Sequence, residues 1–128
     1  MIFLWNPRVQ YPAGEVNAFK QFAEEGGRVV FIGEHSGYYP DGIPIENQLL
    51  LDMGAVMTNI GQQVDCGYNV LPSASLRPHQ ITEGMTDVTI ACSSVIEPGE
   101  DDYPLYYDST NTRVLSGVAK IDTTPLPE

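Results

Sequence analysis

Phe19–Gly37, FKQFAEEGGRVVFIGEHSG, decides how this chain is read. Val16, Phe19, Phe22 and Ala23 fall at i, i+3, i+6 and i+7, the stripe of an amphipathic helix between Pro12 and Glu25. Pro12 suits a first helical turn, and Gly26-Gly27 supplies a left-handed stop. Arg28 then leads into Val29-Val30-Phe31-Ile32, an apolar run without alternation, which reads as a strand buried on both faces. Gly33-Glu34-His35-Ser36-Gly37 closes it with a polar turn that contains no cysteine. With the apolar strand at residues 2–5 upstream, the order is strand, helix, strand, joined by a right-handed crossover.

Working outward, residues 38–44 are punctuated by Pro40, Gly42 and Pro44 and read as a turn. A second helix is expected from about Ile45 to Met53, with Leu49, Leu50 and Met53 inward and Gly54 as its stop. Beyond it the pattern turns to strands: residues 55–60, 64–71, 87–96, 103–107 and 113–121. The expectation is a single α/β domain over residues 1–122, three-layered around a mainly parallel sheet, with a β-rich C-terminal half. Residues 123–128 are polar and proline-bearing and read as a loose tail.

Composition narrows the partners. Six basic residues stand against 17 acidic ones, a net charge of −11, which repels phosphate backbones and anionic lipid. No apolar run approaches the roughly 18 residues of a membrane span, and the opening Met1–Trp5 lacks a basic n-region. The chain is therefore expected in the cytoplasm, with neither nucleic acid nor membrane as partner. Cys66 and Cys92 show no CxxC spacing and are expected as free thiols, Cys92 packing as a small hydrophobe.

FKQFAEEGGRVVFIGE, then Asn47-Gln48-Leu49-Leu50 leading to Met53-Gly54, then Pro78-His79-Gln80-Ile81-Thr82-Glu83-Gly84 occur in an order that resembles the class I glutamine amidotransferase-like superfamily. The likeness is nearest to its ThuA-like and related divergent branches, whose His-Pro-Ile-Thr-x-Gly segment the last run is similar to. The resemblance implies a flavodoxin-like α/β sandwich. It does not carry glutamine hydrolysis, because the turn after Ile32 lacks the nucleophile cysteine. Family domains also carry a strand and helix ahead of the strand at residues 2–5. The shorter sheet is then expected to leave an open edge through which the chain forms a homo-oligomer.

Two functions follow. The first is a non-catalytic module that binds a small molecule or protein partner at the strand-tip crevice near Glu34, where open α/β sheets hold ligands. Gly33, Gly37, Tyr38, Tyr39 and Asn47 would line that site, the tyrosines forming its rim. The alternative is a divergent hydrolase or sugar-processing enzyme using Glu34, His35, Ser36 and His79 as catalytic residues, with His35 as base and Ser36 as nucleophile or donor. Against it, adjacent side chains diverge, and Glu34 and Ser36 are well suited to capping a turn. The two histidines with Asp41 or Glu34 show no HxH or HxxxH spacing, so no metal and no cofactor is expected. The acidic run Glu97–Asp102 lacks the calcium-loop pattern and reads as a solvated turn.

Overall fold

The computed structural model describes residues 1–128 and places two α-helices, six strands and one short 3-10 helix, Ser73–Ser75. Strand β1 (Ile2–Trp5) pairs in parallel with β2 (Val29–Ile32), and α1 (Ala13–Glu24) makes the crossover. Pro12 opens α1 in extended conformation, and Gly26 leaves it at φ +93°, a left-handed value open to glycine. Helix α2 (Gly42–Asp52) begins three residues earlier than Ile45, because Pro44 is accommodated within the first turn, where no N–H is owed to the helix. Gly54 stops it at φ +81°, where a Cβ would lie 2.6 Å from that of Asp122.

Then comes the β half. Strand β3 (Thr58–Pro72) runs antiparallel to β4 (Asp87–Glu97), and β5 (Tyr103–Tyr107) runs antiparallel to β6 (Val114–Val118). The two expected segments at 55–60 and 64–71 are one long strand with register shifts after Asn59 and Val64.

The expected three-layer flavodoxin-like sandwich is not formed. Three separate two-stranded sheets replace one central sheet, and only β1–β2 is parallel. The βαβ unit occurs once and is not repeated, so β2 has a single strand neighbour and Ile32 is 44% exposed. An unalternating apolar run fits a strand covered on both faces, and equally one whose second face is bare.

Two cores result. Val16, Leu49 and Met53 form the first, with Leu4, Val29 and Phe31 from the inner face of the β1–β2 ribbon and Ile121 and Leu126 from the C-terminal segment. The second joins Leu71, Val95 and Leu115 from β3, β4 and β6. Residues 123–128, read as a loose tail, contain no helix or strand, yet they are held to α1. Asn17 exchanges two hydrogen bonds with the Leu126 backbone (3.0 and 2.7 Å), and the buried Lys20 ammonium donates to the Thr124 carbonyl at 2.8 Å.

The cysteines are not free: Cys66 and Cys92 form a disulfide. Antiparallel pairing of β3 with β4 brings them together across the register shift between Val64 and Tyr68. That pairing is a tertiary fact that a sequence separation of 26 conceals. No helix is long and apolar enough to cross a membrane.

Candidate functional site

The tip of β2 is built over a buried polar cluster. Glu46 of α2 is 8% exposed and lies directly under Gly33: a Cβ there would come within 2.7 Å of its carboxylate and of the Asn59 amide. A side chain at position 33 would have to displace the Glu46 carboxylate or the Asn59 amide. Burial pushes the Glu46 carboxyl up to about 7, while the neighbouring Asn59 side chain pulls it the other way.

Asn59, 2% exposed, is the hub. Its Oδ1 accepts from Ser94 Oγ (2.6 Å) and from the Gly61 N–H (2.9 Å), and its Nδ2 donates to the Glu34 carbonyl (3.1 Å). Asn47 of α2 clasps the Asn59 backbone, donating to its carbonyl and accepting from its N–H, both at 2.8 Å. One asparagine thus ties together the β2 tip, α2, β3 and β4. Such a network is stabilising because every buried polar atom in it finds a partner.

The expected catalytic residues are held in turns. Glu34 contributes its backbone carbonyl to the cluster. Ser36 is fastened to Gly61, its N–H and its Oγ both donating to that carbonyl at 2.9 Å. His35 Nδ1 accepts from the Gly37 N–H at 3.1 Å, so its neutral ring carries the proton on Nε2. Ser36 therefore gives its proton to a backbone carbonyl, and no serine–histidine hydrogen bond forms. His79 makes the same turn elsewhere, its Nδ1 accepting from the Ile81 N–H at 3.1 Å. Its ring centroid lies 5.2 Å from that of Tyr103, whose hydroxyl donates to the Pro78 carbonyl. Glu34, His35 and Ser36 share one turn with Gly33 and Gly37; His79 belongs to another, against β5.

Of the expected lining residues, Asn47 is committed to Asn59, and Gly37 is exposed beside the end of the Gln63 side chain. Tyr39 lies under Arg8, whose guanidinium carbon is 5.3 Å from the ring centroid, and against Gly42. Tyr38 is 67% exposed. Glu46 and Asn59 escaped the sequence reading. Glu46 sits among apolar residues at helical spacing, and Thr58-Asn59-Ile60-Gly61 reads simply as a strand leading to a glycine. A polar residue on an inward helix position beside Leu49 and Leu50 was the available signal.

In the β half, Asp65 accepts from both the N–H and the hydroxyl of Ser109, pinning the β3 irregularity to the turn between β5 and β6. Asp108 organises that turn. Burial pushes its carboxyl up, but the N–H groups of Arg113 and Thr112, the Thr110 hydroxyl and the Arg113 charge together hold it below the usual carboxylate range. These contacts are structural. Compared with protein families, with curated proteins and with solved structures, the chain matches none.

Proposed function

We propose that this chain is a non-catalytic binding module, taking a small molecule or protein partner at the β2 tip near Glu34. The observation that carries the reading is that Ser36, His35 and His79 each spend the atom their catalytic roles would need on a backbone group, Ser36 on β3 and the histidines within their own turns. A general base must reach the proton it removes, and these bonds support holding rather than chemistry. Exposed Tyr38 beside that turn is the kind of aromatic that binding surfaces use. The amidotransferase-like resemblance enters this reading only through its cysteine-free turn. The Cys66–Cys92 bond supports an oxidising compartment in place of the cytoplasm.

The test is turnover of ester, amide and glycoside substrates by the wild-type chain beside Glu34→Gln, His35→Ala and Ser36→Ala variants. The expected result is equal background for all four, with Ser36→Ala less stable by about 1 kcal/mol for its lost hydrogen bond. Turnover that disappears in His35→Ala or Ser36→Ala would overturn the reading and restore the hydrolase alternative.

A further inference from the structure

The outer face of the β1–β2 ribbon is largely open, with Phe3, Trp5 and Ile32 exposed and Val30 half-buried. Register pairs Phe3 with Val30 and Trp5 with Ile32, so these four apolar side chains share the face opposite the helices. Phe3 is 61% and Trp5 62% exposed. Parallel strands are ordinarily covered on both faces by helices, and here α1 and α2 cover one.

Charge distinguishes the same region. Residues 1–14 and 26–33 contain none of the chain's 17 acidic residues, and they carry Arg8 and Arg28. With +2 located there, the rest of the chain accounts for −13 of the net −11. Both arginines are exposed, Arg28 just before the start of β2 and Arg8 beyond the end of β1. The apolar face thus lies between Arg28, whose exposed guanidinium rests on the Gly26 and Gly27 carbonyls, and Arg8, whose exposed guanidinium lies over Tyr39, in a strongly acidic molecule.

Its dimensions select an occupant. Four residues per strand give a length of about 13 Å, and two strands about 5 Å apart give a face as wide as one helix of roughly 10 Å diameter. A two-fold contact with a second copy would set the Arg8 and Arg28 charges against the same basic pair of that copy, whichever way the strands crossed. We infer that the outer ribbon face docks an amphipathic helix of another polypeptide, apolar along one stripe and acidic at its ends. This surface does not depend on whether the β2 tip binds anything.

Trp5 is the sole tryptophan and lies on the face, so its fluorescence reports occupancy directly. Two synthetic helical peptides of the same length, free of Trp and Tyr, share one leucine stripe and differ in bearing glutamates or lysines around it. Each is titrated into the intact chain at low salt. The expected result is that the glutamate peptide shifts Trp5 emission to the blue, shields it from acrylamide and binds at least tenfold more tightly than the lysine peptide. That order opposes the one net charge alone would give. Salt should shrink the advantage, Arg8→Glu with Arg28→Glu should reverse it, and Phe3→Ser should weaken both peptides while leaving the far-ultraviolet circular dichroism unchanged. Three results overturn the inference: a lysine peptide that binds as well or better, no effect of either peptide on Trp5, or burial of Trp5 on concentrating the chain alone, which would identify a second copy as the cover.

Discussion

The N-terminal lobe and the β half each close around three buried side chains, Val16, Leu49 and Met53 in one and Leu71, Val95 and Leu115 in the other, yet they treat their outer faces differently. On the β3–β4 sheet the outward Val70 and Tyr68 face Thr89 and Ala91 across the ladder, so apolar groups alternate with small or polar ones. An antiparallel sheet can stand in water on such a face. On the β1–β2 ribbon the outward pairs are Phe3 with Val30 and Trp5 with Ile32, apolar on both strands. The lesson is that exposure of a large apolar side chain means little by itself, whereas exposure of both partners of a parallel pair marks a missing layer.

Matched core truncations break or sharpen this comparison most strongly. Leu49→Ala and Leu71→Ala remove the same side chain from the two cores and are each expected to cost about 3–5 kcal/mol in urea unfolding. Asn47 and Ser36, bonded to Asn59 and Gly61 of β3, connect the lobes. Both variants should therefore shift Trp5 fluorescence and circular dichroism together. Separate transitions would make the lobes independent.

Next in size is the covalent tie of the β half. Replacing Cys66 and Cys92 together by serine should lower stability by ~3 kcal/mol, as expected for releasing a closed loop of this length. The N-terminal lobe has no such bond, so an equal loss on mild reduction with no change in the shape of the transition would confirm a single cooperative unit.

A pH series probes the cluster between the lobes. The Glu46 carboxyl is raised from 4.5 to about 7 in the folded chain, so folding takes up a proton between those values. Stability is full below about pH 4.5, falls as pH rises through 7 and is flat above, a loss of at most about 3 kcal/mol. Glu46→Gln should remove that slope and be more stable than wild type at pH 8, measured as chemical-denaturation midpoints. An unchanged slope would mean that Glu46 ionises freely under Gly33.

The smallest expected effect is at the bare face. Ile32→Thr, on a strand and 44% exposed, should change monomer stability by no more than about 0.5 kcal/mol. A loss of several kcal/mol would show that this face is already packed in the isolated chain, and the contrast between the two outer faces would fail.

Much of the local structure was legible. The helix stripe from Val16 to Ala23, the glycine stops at Gly26 and Gly54 and the strands at residues 2–5, 29–32 and 103–107 all lie where periodicity and turn chemistry place them. The candidate site was legible only as a position, the β2 tip. The turn-capping role expected of Ser36 is matched by its bonds to the Gly61 carbonyl, whereas the backbone partners of His35 and His79 had left no mark in the sequence. Asn59 and Glu46 went unnoticed for a related reason: a single asparagine becomes a hub only when α2, β2 and β4 converge on it.

What the sequence determined by itself was the elements, the acidity of the whole and the acid-free stretches around Arg8 and Arg28, because these depend on neighbours in the chain. The tertiary structure alone decided that the βαβ unit stays single, that Cys66 meets Cys92 and that one face of the ribbon is bare. Each of those depends on which distant segments pair. An apolar strand is equally satisfied by any cover, so its own residues carry no record of which one it receives.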